Sequence, residues 1–178
     1  IDRLRPQDRV AFTFYASDVG TAVGPTPGDH KLKLRCAVAA LNAGGSTAGA
    51  QGMVNAYQQA EAAFGRDKVN RILMFTDGDF NVGQTDNQRL EDYVASKRET
   101  GIYLSVYGFG RGNYQDARMQ AISQAGHGTA AYVDDPTHMN DIQPVPGDGP
   151  YWQAGDVFVS LRNISTVLLY RPAENKVV

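Results

Sequence analysis

The first 133 residues predict a three-layer α/β fold, a doubly wound, mostly parallel sheet with helices on its faces. Three observations carry that prediction. RILMF (71–75) and IYLSVYGFG (102–110) are continuous apolar runs, the composition of strands buried on both faces. Segments with apolar residues at helical spacing stand between such runs. Glycine or turn clusters punctuate the junctions.

The elements follow in order. RVAFTFYA (9–16) reads as a strand, and residues 20–23 as a short edge strand before the PTPGD turn. Over 31–41, Leu34, Ala37, Val38 and Leu41 form a helical stripe, closed by Asn42-Ala43-Gly44-Gly45. Cys36 lies beside that stripe and reads as a small buried hydrophobe. Met53, Tyr57, Ala60 and Phe64 repeat the spacing in a helix starting near Gly49. The 71–75 strand comes next, then a helix over 86–99 with Leu90, Tyr93 and Val94 inward. Gly101 ends that helix and the 102–110 strand begins, with Tyr103 and Tyr107 as packing residues. A helix over 114–124 and a strand over 129–133 complete the pattern, while His30 and His127 fall in exposed, glycine-flanked turns.

After Asp135-Pro136 the texture changes. Residues 140–156 are rich in Pro, Gly and Asp and hold Trp152, expected to pack the tail hairpin onto another surface. VFVSL (157–161) and TVLLYR (166–171), separated by residues 162–165, predict an antiparallel hairpin. The expected division is an α/β unit over 1–134 and a β-rich tail over 135–178.

Composition narrows the function classes. A length of 178 residues suits one domain, or one and a piece of another. With 17 basic and 19 acidic residues, the net charge of -2 gives no electrostatic footprint for nucleic acid. One cysteine excludes a disulfide framework and a cysteine-based zinc site. No apolar run reaches the roughly 20 residues that span a bilayer. No signal peptide opens the sequence, which starts at Ile1 without a methionine.

Ligands of open α/β sheets sit beyond the carboxyl ends of the strands. Thr76-Asp77-Gly78-Asp79 follows the 71–75 strand, and Gly44-Gly45-Ser46-Thr47 precedes the second helix. A carboxylate and a hydroxyl in one crevice suit a hard cation bound through oxygen, magnesium above all. Asp-Gly is equally turn chemistry, and a Ser or Thr before a helix is equally an N-cap. Arg111 and Asn113, after the 102–110 strand, face the same crevice and are candidates for partner contact, a plain surface loop being the alternative.

AGGSTAGAQGM, LMFTDGDFNVG and GFGRGNYQDARMQAISQAGHGTAAYVD together resemble a bacterial von Willebrand factor type A domain of the envelope-associated kind. The resemblance covers about residues 1–134, three motifs in the right order. It implies a Rossmann-like fold and an adhesion-type protein-binding module whose Mg²⁺ or Mn²⁺ meets an acidic residue of a partner. It implies Thr47 and Asp77 as metal ligands, with Ser46 and Asp79 as neighbours. No Asp-x-Ser-x-Ser precedes Asp77, and IDRLRPQDRV looks like the end of the family's first helix. The expectation is therefore a sheet missing its first central strand, with buried edges open to pairing. Weak or absent metal binding follows from the missing ligands, and the fragment reads as truncated at its amino end. The cell envelope is suggested by the resemblance alone.

The tail resembles part of an arylsulfotransferase-like β-propeller, over about 40 residues. That likeness makes His138 and Arg162 the positions matching a sulfate-holding His and Arg, chemistry that suits both side chains. An enzyme is not expected from this chain. A sulfuryl-transfer fragment and an inactive fusion of two family pieces remain the alternatives.

Overall fold

The computed structural model describes residues 1–15, 18–41, 49–76, 84–109, 116–133 and 164–170. Among the described residues ten elements succeed one another: β1 (Arg9–Tyr15), β2 (Val19–Pro27), α1 (Lys31–Ala39), α2 (Gly49–Ala62) and β3 (Val69–Thr76). They continue as α3 (Gln84–Glu99), β4 (Ile102–Phe109), α4 (Asp116–Ala125), β5 (Ala130–Val133) and β6 (Ile164–Tyr170). The strands form one six-stranded sheet in the order β2-β1-β6-β3-β4-β5. Only β2, at one edge, runs antiparallel to its neighbour; the other pairings are parallel.

This is the expected α/β architecture, and the strands and helices fall within a few residues of the sequence reading. Alternation along each strand divides the sheet into two faces. One face carries Ala11, Tyr15, Ile72, Met74, Ile102, Leu104 and Val106. It packs under Met53, Tyr57 and Ala60 of α2, Leu90 and Val94 of α3, and Met119 and Ile122 of α4. The other face has a smaller cluster, Val10, Phe12 and Val23 beneath Leu34 of α1.

Three expectations need correction. The first concerns the central strand. β6 occupies the slot between β1 and β3, pairing with β1 from Arg9↔Ser165 to Phe14↔Tyr170 and with β3 from Val69↔Ile164 to Phe75↔Tyr170. The edges expected to lie bare are thus both paired. Ile164 and Ser165 are strand rather than turn, and 157–161, the other half of the expected hairpin, lie outside the described residues. The physical reason is visible in ISTVLLY, which is continuously apolar after its Ser and Thr rather than alternating.

The second correction is Cys36, which is exposed. It lies two residues, about 200° of helix, from Leu34, the one buried residue of α1. α1 meets the sheet through Leu34, over Val10 and Phe12 of β1 and Val23 of β2, and Val38 is also exposed, at 42%. Third, Phe64 falls beyond α2 and is 40% exposed, so it does not extend the stripe that Met53, Tyr57 and Ala60 bury.

Candidate functional site

The five parallel strands end at Tyr15, Tyr170, Thr76, Phe109 and Val133, so their carboxyl ends share one edge of the sheet. α2 begins at that edge. Asn55 reaches the β1–β2 turn from α2: its amide donates to the Gly20 carbonyl at 2.9 Å and contacts the Thr21 hydroxyl. Gly52 lies so close over Tyr15 that a Cβ there would stand 2.6 Å from Tyr15 Cβ. A glycine is needed at this crossing because a methyl group would push the helix off the strand end. Tyr15 is fully buried, and its hydroxyl donates to the Phe75 carbonyl across the β6 slot, at 3.3 Å.

These contacts fix two chain ends at the crevice, Gly49 at the start of α2 and the buried Thr76 at the end of β3. Thr47 and Ser46 lie two and three residues before the first, and Asp77 and Asp79 one and three residues after the second; all four lie outside the described residues. Arg111, Asn113, His138, Trp152 and Arg162 lie outside them as well. Among the described residues no three His, Cys, Asp or Glu side chains are gathered as a metal cluster. On the face away from α2–α4, the crevice edge is aromatic. Phe75 stacks on Tyr107 with centroids 5.5 Å apart and meets Phe109 at 5.8 Å.

A second polar group lies toward the amino ends of β3 and β4, and sequence reasoning missed it. Arg71, 8% exposed, donates from a terminal guanidinium nitrogen to Ser105 Oγ at 2.7 Å and sits over the Tyr103 ring at 5.7 Å. The Thr129 backbone N–H donates to the same Ser105 hydroxyl at 3.2 Å. Burial lowers the Arg71 pKa, against an opposing pull from Tyr107 and Tyr103. Burial raises that of Tyr107, opposed by its hydrogen bond with Thr129 and by Arg71. The available signal was alternation: in a strand, Arg71 shares a face with Leu73 and Phe75, so reading RILMF as merely apolar hid an inward cation.

Comparison with known proteins agrees with the geometry. A family model described as von Willebrand factor type A domain matches residues 1–145. The uncharacterized protein YfbK of Escherichia coli K12 is 42% identical over 75% of this chain and 23% of its own length. The uncharacterized protein sll0103 of Synechocystis is 28% identical over 77% of this chain and 32% of its own. The chain therefore spans about a quarter to a third of the curated relatives it matches. Among solved structures, a von Willebrand factor type A protein from Catenulispora acidiphila is similar with a TM-score of 0.64 and 18% identity, over 77% of this chain and 32% of that one. The conserved hypothetical protein BatB from Bacteroides thetaiotaomicron gives 0.56, also at 18% identity, over 74% and 73%. At that identity the structural likenesses speak to the fold.

Proposed function

Because the chain belongs to the von Willebrand factor type A family, we propose that it is a protein-binding module of the adhesion type, engaging its partner at the carboxyl edge of the sheet. The family is one of protein-interaction domains, and among the described residues no helix is long and apolar enough to cross a membrane. In this reading Thr47 and Asp77 hold a divalent cation, Mg²⁺ or Mn²⁺, with Ser46 and Asp79 beside them, and an acidic side chain of the partner completes the coordination. Arg111 and Asn113 flank the contact.

The observation that supports the reading is the anchoring of Gly49 and Thr76 at one edge. Gly52 on Tyr15 and the Tyr15 bond to Phe75 bring the chain on either side of the proposed ligands to the same crevice. The donor set fits a hard cation in kind, since both groups offer oxygen. It falls short in number. Tyr170 of the central strand is followed by Arg171-Pro172 rather than by further carboxylate and hydroxyl ligands. The cation is therefore held weakly here, and the partner's carboxylate contributes a large share of the coordination. What the bound cation supplies is a positive centre for that carboxylate.

Calorimetric titration with Mn²⁺ tests this. A weak binding heat, lost in Asp77→Ala and reduced in Thr47→Ala, is expected. A heat that survives Asp77→Ala unchanged contradicts the ligand assignment.

A further inference from the structure

Among the described residues two charged side chains are buried, and their surroundings differ. Asp8, fully buried, accepts from the Arg5 backbone N–H at 2.7 Å, from its Nη2 at 2.8 Å and from its Nε at 3.3 Å, so its charge is paired. Arg71, 8% exposed, has no such companion. Ser105 Oγ accepts from one terminal nitrogen at 2.7 Å, and the Tyr103 ring lies 5.7 Å from the guanidinium carbon. Among the described residues no carboxylate stands within ion-pair distance of Arg71. Its protonation is governed by burial and by Tyr107 and Tyr103, with no acid beside them. Ser105 offers a hydrogen bond without an opposite charge. Arginine is almost never buried unless paired, because an isolated buried cation is costly.

We propose that Arg71 is the cationic half of a carboxylate site on the sheet face opposite α2–α4. Strand alternation places Arg71 on one face with Leu73 and Phe75 of β3 and with Tyr103, Ser105 and Tyr107 of β4. The core beneath α2–α4 is built instead on Ile72, Met74, Leu104 and Val106. Among the described helices only α1 lies on the Arg71 face, over Val10, Phe12 and Val23, and β1 is two strand positions from β3. Ser105 holds one nitrogen of the guanidinium fork and leaves other N–H groups for a planar acceptor with two oxygens. A carboxylate has that shape and the opposite charge. The Tyr103 ring steadies the cation from the side. Arg71 lies five residues before Thr76, about 16 Å along β3 from the carboxyl edge, so this site is separate from the cation crevice proposed above. A free small anion or an acidic side chain laid across the face can supply the carboxylate, and both meet the same fork.

The test compares the full chain with Arg71→Met, which keeps the length of the side chain and removes its charge, by thermal unfolding. Sodium acetate is set against sodium chloride at equal ionic strength, near pH 7. If a free carboxylate fills the site, acetate raises the wild-type midpoint by about 3 °C or more beyond any rise in Arg71→Met. If an acidic side chain fills it, acetate moves both proteins equally, and Arg71→Met leaves that carboxylate buried without its cation. The orphaned carboxyl then titrates above its ordinary range, and the folded variant takes up a proton that the unfolded chain does not. Its midpoint therefore gains about 3 °C or more on the wild type as pH falls from about 7 to about 5 in chloride. Arg71→Lys keeps the charge and loses the fork; it shows the same departures at smaller size, and it serves in place of Arg71→Met should that variant not fold. Equal acetate responses together with parallel pH profiles overturn the proposal.

Discussion

β3 and β6 lie side by side at the centre of the sheet, share a register over seven residue pairs, and reach that position by opposite routes. β3 lies between α2 and α3 in the chain, and its neighbour β4 follows after one helix. β6 follows β5 in the chain by about 30 residues and lies between β1 and β3. Its partners run from Arg9 to Phe14 on one side and from Val69 to Phe75 on the other. The central parallel slot is thus bounded by the edges of β1 and β3, and β6 pairs with both. Closeness in sequence governs how soon pairing occurs, since long loops must close first.

The sharpest way to break the comparison is to put proline at matched positions. Leu73 and Leu168 are register partners. Each substitution removes a ladder donor and inserts a ring, at a cost of about 3 kcal/mol or more. Urea unfolding should show losses of similar size for Leu73→Pro and Leu168→Pro. An unchanged midpoint for Leu168→Pro would mean that β6 carries no weight in the sheet.

Gly128→Ala tests how tightly the early strands are built. A Cβ at Gly128 would fall 1.6 Å from the Leu104 carbonyl oxygen, so backbone must move. A loss of about 2–3 kcal/mol is expected in the same assay. Next comes Asn70, buried at the entry to β3. Its side chain accepts from the Gly65 N–H at 3.1 Å and donates to the carbonyls of Gly65 at 2.8 Å and Lys68 at 3.2 Å. Asn70→Ala leaves those groups unpaired and should lower stability by about 2 kcal/mol. The opposite partner of Asn70 in β6 is Ser165, and Ser165→Ala should cost less than half as much if the anchoring belongs to β3.

The smallest effect is a gain. The Tyr57 hydroxyl is buried without a hydrogen-bond partner among the described residues, and its ring meets Tyr93 edge-on at 5.4 Å. Tyr57→Phe removes an unsatisfied polar atom and should be neutral or raise stability by up to about 1 kcal/mol. Burial also holds the Tyr57 pKa well above its ordinary value. An unfolded phenol ionises near pH 10, so the stability linked to this proton is complete below about pH 10 and is lost as pH rises further. Urea midpoints at neutral pH and near pH 11 should therefore converge less in the wild type than in Tyr57→Phe, whose alkaline loss is shallower.

Much of this was legible in the sequence. Continuous apolar runs located β3 and β4, and helical spacing located α2 and α3 with the residues they bury. What could not be read was which edge a strand would join. ISTVLLY obeys the same rule of continuous apolarity as RILMF, yet its nearness to VFVSL favoured a local hairpin over pairing with residues far away. Cys36 was misread because helical spacing marks a stripe but does not say how wide a surface waits to cover it; α1 meets the sheet through Leu34. Arg71 was hidden within an apolar run, where its aliphatic stem and the Ser105 hydroxyl make burial tolerable. The proposed metal ligands were found from polar residues at strand and helix ends and from the family resemblance. Contacts among their neighbours, such as Gly52 against Tyr15, are long-range and invisible to spacing.

Amide hydrogen exchange compares the two central strands directly. If β6 completes the sheet, amides of Ile164–Tyr170 will exchange as slowly as those of Val69–Thr76, within about tenfold, through the cooperative unfolding of one unit. Exchange of the Ile164–Tyr170 amides at the rate of an unstructured chain, with Val69–Thr76 still protected, would contradict the account.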